Sequence, residues 1–165
     1  MSRRITAVVF DVGETLVDEA ATHGRWEAEG IAGGAPFEDR DLHPDALPCF
    51  AALRGAGHLL GAAGNMRAMH EDFLRAHVDF VGSSERWDVW KPAAGFFERI
   101  RDLAGVPSDE IAYVGDRVDN DVLPSLAAGM VAVHIRRGAH AHVPPPAGVA
   151  SILSLAELPE ALARA

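Results

Sequence analysis

The chain of 165 residues carries 24 acidic and 15 basic side chains, a formal charge of −9, with 48% hydrophobic residues. That length suits one domain with a single core and excludes two full ones, and an acidic balance without a Lys/Arg-rich stripe sets nucleic acid aside as a partner. Cys49 is the only cysteine, which excludes an internal disulfide framework or a cysteine-based zinc cluster and suits a reducing compartment.

Arg3 and Arg4 are followed by an apolar stretch that ends at Asp11, too short for a signal sequence or a membrane span. The expectation is a cytoplasmic chain with no membrane contact. Ile5–Phe10 (ITAVVF) is a nearly continuous, β-branched apolar run, the pattern of a buried parallel strand. Residues Asp45–Gly55 place Leu47, Phe50, Ala51 and Leu53 at helical spacing, with Pro44 before and Gly57 after, which predicts a helix. His58–Ala63 reads as the second strand. Met66–His77 puts Met66, Met69, Phe73 and Leu74 on one helical face, and Asp79–Val81 reads as the third strand.

After Pro92, which suits a first helical turn, Phe96, Phe97, Ile100 and Leu103 recur at helical spacing up to Gly105. Ile111–Val114 is the fourth strand, ending in Gly115-Asp116; Asp121–Ala128 is a further helix and Val131–Ile135 the fifth strand. Arg136–Gly148, with its three consecutive prolines, reads as loop, and Leu155–Ala163 as a helix closing on the sheet edge. The alternation predicts an α/β fold of one domain over 1–165: a three-layer, Rossmann-like parallel sheet of about five strands in the order 5-4-1-2-3, with helices on both faces.

In such a sheet, ligands bind at the carboxyl ends of the strands. There the sequence places Asp11-Val12-Gly13-Glu14-Thr15, Gly64-Asn65, Lys91-Pro92, and Gly115-Asp116 followed by Asp119, Asn120 and Asp121. Asp11 and Asp116 would repel each other unless a cation lay between them, and a site of few carboxylates suits Mg²⁺. Lys91 facing the same point is suited to hold a phosphate.

Four segments, FDVGETL (Phe10–Leu16), GAAGN (Gly61–Asn65), KPAAGFFERI (Lys91–Ile100) and YVGDRVDND (Tyr113–Asp121), resemble in order and spacing the motifs of the haloacid dehalogenase superfamily. For its phosphatase members the resemblance implies that Asp11 attacks phosphorus to form an aspartyl-phosphate, a covalent route open to carboxylates. It implies Mg²⁺ held by Asp11, the Gly13 carbonyl and Asp116, with Lys91 offsetting the charge of the transferring phosphoryl group. Thr15 would steady the nucleophile, and Gly64 and Asn65 would lie against the phosphate. Asp121 would orient Lys91 or a metal-bound water.

The chain departs from that pattern in three places. Gly13 stands where the family carries the Asp that protonates the leaving group and activates water, a contribution of about 10²–10⁴-fold. Slow turnover is therefore expected, with a rate gain on poor leaving groups in Gly13→Asp, since Glu14 next door should point away. Gly64 replaces a Ser or Thr and removes a hydroxyl donor, a loss that Asn65 and the local backbone would offset in part. Residues 18–44 leave room only for a short loop or hairpin where relatives insert a cap that closes over the substrate. An open site suits a bulky substrate, a partner, or a homodimer covering it. The alternative reading is a catalytically silent binding module of the same fold. A dehalogenase-type hydrolase is a third, disfavoured by the acidic fourth segment and the missing cap. His140 and His142 form a pair without a third metal ligand and read as solvated loop. Trp87 and Trp90, just before Lys91, read as packing residues or as an aromatic platform near the site.

Overall fold

In the computed structural model, which describes residues 4–165 and so leaves Arg3 outside, the first apolar run becomes β1, Ala7–Phe10. All four of its side chains are fully buried. Val8 and Phe10 join one apolar cluster, and Ala7 and Val9 join another on the opposite face. A strand covered on both faces needs no polar alternation, which is why this run is apolar throughout.

The chain continues through α1 (Glu19–Ala28), α2 (Ala46–Gly55), β2 (Leu59–Gly64), α3 (Glu71–Arg75), β3 (Phe80–Ser83), α4 (Ser84–Trp87) and α5 (Ala94–Ala104). It ends with β4 (Ile111–Gly115), α6 (Leu123–Ala127), β5 (Val131–Ile135), β6 (Ala150–Ile152) and α7 (Leu158–Ala163). The strands pair in parallel in the order β3-β2-β1-β4-β5-β6. Five of them are the expected 5-4-1-2-3 arrangement seen from the other edge; β6 is the addition. It is three residues long and follows the proline-rich loop, so it has no periodicity of its own to reveal it.

On one face, Phe50 and Leu53 of α2 and Leu158 and Leu162 of α7 pack with Phe10 and Leu60. On the other, Phe96, Phe97 and Ile100 of α5 pack with Val9, Ala63 and Tyr113. Leu103, expected on that apolar face, is 47% exposed. Trp87 fulfils the packing reading: it lies over β3 so closely that an added Cβ at Gly82 would stand 1.9 Å from its ring. It also meets Phe96 edge-on, with ring centroids 5.1 Å apart. Trp90 is 50% exposed.

Two helices are shorter than the sequence suggests. Met66–His77 opens with a 3₁₀ turn at Ala68–His70 before α3, and the Asp121–Ala128 segment opens with a π-type turn, Val118–Val122, before α6. The larger correction concerns residues 18–44, which hold a ten-residue helix rather than a bare loop or hairpin. Its sequence, EAATHGRWEA, carries a single large apolar residue and so shows no stripe. Its order comes from tertiary contacts. Asp18 caps it by accepting from the Ala21 N–H at 3.0 Å. Arg25 grips both oxygens of the buried Asp41 at 2.8 and 2.9 Å, and Trp26 stacks on Phe37 and His70. Gly34 allows that stacking, since it adopts a φ of +80° and an added Cβ would stand 3.1 Å from the Trp26 ring. No helix among the described residues is long and apolar enough to cross a membrane.

Truncating Phe97→Ala should cost about 3–5 kcal/mol, the usual penalty for a fully buried aromatic; urea unfolding measures it, and a loss below about 1 kcal/mol would remove α5 from the core. The Asp41 carboxyl gives a pH signature. Burial alone would raise its pKa, but hydrogen bonds from Arg25, the Glu38 N–H and Thr22 outweigh burial and hold it below the ordinary value. Its contribution to stability is therefore present above the unfolded pKa, about 3.9, and is lost as pH falls through the lower folded value. Asp41→Asn should be less stable than the wild type at pH 7, with the gap closing below about pH 4; thermal melts across that range would test this.

Candidate active site

Asp11 follows the central strand, and its N–H donates to the Val114 carbonyl of β4 at 2.8 Å. The chain then turns sharply: the Leu16 and Val17 N–H groups both donate to the Val12 carbonyl, at 2.9 and 3.0 Å. This turn brings the buried Thr15 hydroxyl back to donate to Asp11 Oδ2 at 3.2 Å. Glu14, at a φ of 59°, sends its carboxylate toward the Ala20 N–H and Gly138.

Asn65, at the end of β2, spends its side-chain amide on the backbone of Lys91: Oδ1 accepts from the Lys91 N–H at 2.8 Å and Nδ2 donates to the Lys91 carbonyl at 3.1 Å. The side chain of Lys91 is 3% exposed, and its Nζ lies 2.6 Å from both Asp11 Oδ1 and Asp121 Oδ1. Burial alone would lower the lysine pKa, but the negative charge of Asp11, backed by Asp121, holds it well above the ordinary value. Gly64 faces the same carboxylate, since an added Cβ there would stand 3.0 Å from Asp11 Oδ1.

Asp116 follows β4, and the π-type turn after it swings Asp121 inward, where Oδ2 accepts from the Arg117 N–H at 3.0 Å. Such turns recur at functional sites because they re-aim side chains within a helical segment. Gly115 is what admits Asp121: an added Cβ at that glycine would lie 2.4 Å from the Asp121 Cβ. One oxygen from each of Asp11, Asp116 and Asp121 lies within 4.8 Å of the others.

Three carboxylates thus face one ammonium, and burial together with the excess negative charge shows in the proton affinities of Asp116 and Asp121. Burial, then Asp11 and Asp121, push the Asp116 carboxyl up to about 9. Burial and Asp11 push Asp121 up to about 6 against the pull of Lys91. An all-oxygen set short of positive charge fits a hard divalent cation. Asp11 has both oxygens hydrogen-bonded, to Lys91 and Thr15, and so has Asp121, to Lys91 and the Arg117 N–H, which leaves Asp116 the least committed of the three.

A cavity of about 510 Å³ opens over these groups, with Asp11, Gly13, Lys91 and Asp116 in its lining. The N-terminal half of α1 forms part of its wall through Glu19, Ala20 and His23, and His140 also lines it. Glu19 is the residue the sequence did not single out. Its carboxylate fills the place of a side chain at position 13: an added Cβ on Gly13 would lie 2.3 Å from Glu19 Oε1. Burial, followed by the charge of Asp11, raises its pKa, against His23 and Lys91, which lower it. The available signal was Asp18, a good helix cap that would set Glu19 in a first turn.

A family model described as HAD-hydrolase-like matches residues 89–156. The chain is 36% identical over 109 residues to a glyceraldehyde 3-phosphate phosphatase of Methanopyrus kandleri, covering 62% of this chain and 47% of that protein. It is 30% identical over 132 residues to the enolase-phosphatase E1 of Nocardia farcinica, covering 73% of this chain and 56% of that one. The chain therefore spans about half the length of these curated relatives. Among solved structures, a HAD phosphatase from Thermococcus onnurineus shares the fold with a TM-score of 0.75 at 21% identity, covering 95% of this chain and 97% of that one. A 2-haloacid dehalogenase from Pseudomonas syringae pv. Tomato DC3000 shares it with a TM-score of 0.68 at 20% identity, covering 97% and 99%. Residues 89–156 thus carry the HAD-hydrolase-like match, and the chain as a whole shares the fold of HAD phosphatases and dehalogenases.

Proposed function

We propose that the chain is a Mg²⁺-dependent phosphohydrolase or phosphotransferase that acts on a small phosphate monoester through an aspartyl-phosphate on Asp11. The observation that carries this reading is the buried Lys91 ammonium, 2.6 Å from Asp11 and from Asp121, beside Asp116 at the floor of one cavity. In the first step an Asp11 carboxylate oxygen bonds to phosphorus while the P–O bond to the leaving group breaks. Thr15 fixes the Asp11 carboxylate through its hydroxyl. Lys91 sets a positive charge where the transferring phosphoryl group carries its negative charge, which is the main requirement of such a transfer. Asp121 holds the ammonium and Asn65 holds the backbone beneath it. The backbone at Gly64 and Asn65 is assigned to the phosphate on the β2 side. Mg²⁺, when bound by Asp11, the Gly13 carbonyl and Asp116, supplies further positive charge at the phosphoryl oxygens.

We read the whole chain as one catalytic domain in the cytoplasm, with residues 18–44 as a reduced cap that contributes α1 to the cavity wall. Two of the curated relatives are named glyceraldehyde 3-phosphate phosphatase, which makes phosphorylated trioses the first natural candidates to assay. The primary test uses p-nitrophenyl phosphate. The chain should hydrolyse it with Mg²⁺ and stop on addition of a chelator, and Asp11→Asn should fall to background. Lys91→Met should lower kcat by about 10²–10³-fold, as loss of one preorganised charge does. Properly folded protein that turns over neither p-nitrophenyl phosphate nor a triose phosphate would leave the silent binding module as the correct reading.

A further inference from the structure

Gly13 leaves the proposed reaction without a group to protonate the leaving oxygen or to activate water, yet the space is not empty. An added Cβ on Gly13 would meet Glu19 Oε1 at 2.3 Å and Glu19 Cδ at 2.6 Å. The backbone there does not itself require glycine, because Gly13 is not among the glycines with positive φ. What occupies the direction of a side chain at 13 is thus a carboxylate delivered from the first residue of α1. Glu19 lines the same cavity as Asp11, Lys91 and Asp116, and among the described residues no hydrogen bond ties its carboxylate down. The groups facing it are Asp11 and Lys91 on the cavity floor, Glu14 on the turn and His23 one helical turn along. Glu14 is committed to the Ala20 N–H and the Gly138 side.

Resting on the phosphohydrolase reading above, we propose that Glu19 is a catalytic residue, the general acid and base that stands in for the side chain missing at Gly13. As Asp11 bonds to phosphorus, the Glu19 carboxyl gives its proton to the departing oxygen, which leaves as the neutral alcohol, and Glu19 becomes a carboxylate. In the second step the Glu19 carboxylate takes a proton from water as the water oxygen bonds to phosphorus. The Asp11–phosphorus bond breaks, inorganic phosphate leaves, and both carboxyl groups return to their starting forms. The deficit expected from Gly13 is thereby filled from another element, and general acid–base help of this kind contributes about 10²–10⁴-fold.

The test compares the wild type with Glu19→Gln and Glu19→Ala on two substrates with Mg²⁺: p-nitrophenyl phosphate, whose leaving group needs no proton, and glycerol 2-phosphate, whose alkoxide does. Glu19→Gln should lose about 10²–10⁴-fold on glycerol 2-phosphate. On p-nitrophenyl phosphate it should release a burst of about one nitrophenolate per active site and then turn over slowly, because aspartyl-phosphate forms but is not hydrolysed. A merely structural role would lower both substrates together with no burst, and that result overturns the proposal. Gly13→Asp/Glu19→Ala, in which the smaller residue clears the space, should recover glycerol 2-phosphate turnover relative to Glu19→Ala; failure to recover, with the burst also absent, likewise overturns it. Gly13→Asp alone should bring little gain, since the new side chain displaces the carboxylate already there. If the wild type hydrolyses neither substrate, the phosphohydrolase reading fails and this one with it; if the wild type is active and Glu19→Gln matches it, this one alone fails.

Discussion

The buried ammonium of Lys91 is the interaction on which the rest of the site depends. Removing a charge of this kind from water costs on the order of several kcal/mol, and the structure offsets it with two carboxylates at 2.6 Å, one from the first strand end and one from the fourth. The same contact fixes three other things. It aims Asp11 Oδ1, it explains why Asp121 must swing inward through a π-type turn, and it explains why Gly115 has no side chain. Asn65 then holds the lysine backbone from the β2 side, so the segments after β1, β2 and β4 are all tied to one lysine. Even so, a single ammonium cannot balance three carboxylates. Burial and the remaining negative charge together raise the pKa values of Asp116 and Asp121, and it is this imbalance that supports the proposal of a bound cation.

The sheet supplies the rigidity for that arrangement. β1 pairs with both β2 and β4, so the turn carrying Asp11 to Thr15 emerges at the middle of the sheet. Apolar clusters grip it from both faces, and a residue whose neighbours are packed on every side has little freedom to wander. By contrast, α1 lies outside the sheet and has little apolar surface of its own. Its position rests on a few strong contacts: the Asp18 cap, the Arg25–Asp41 pair and the Trp26 stack. The cavity is therefore built from two kinds of structure, a floor fixed by the core and a wall fixed by polar and aromatic pins.

That difference also decides what was legible in the sequence. The floor was readable: the apolar runs at Ile5–Phe10, Ile111–Val114 and Val131–Ile135 mark strands, and the charged residues that follow the strands fall on one edge because a parallel sheet puts all carboxyl ends on the same side. The wall was not. Helix α1 has no stripe, β6 has three residues, and the π-type turn depends on Asp121 reaching Lys91, a partner 30 positions away. In each case the order comes from contacts distant in sequence, which periodicity cannot register. Glu14 points away from Gly13, as its place in the sequence predicts, but through a left-handed backbone rather than an extended one.

A carboxylate at position 13 would ride on the nucleophile's own turn, whereas Glu19 comes from a separate helix and must be ordered along a longer side chain, at greater entropic cost. Acid–base catalysis tolerates only a few tenths of an ångström of misplacement. The precision Glu19 needs can come only from what holds α1 in place. On this view Arg25, Asp41, Trp26 and Gly34, all at a distance from the phosphoryl group, belong to the catalytic design because they determine where the helix begins. On the same proposal, residues 18–44 do more than border the cavity: they supply the function of the side chain absent from Gly13.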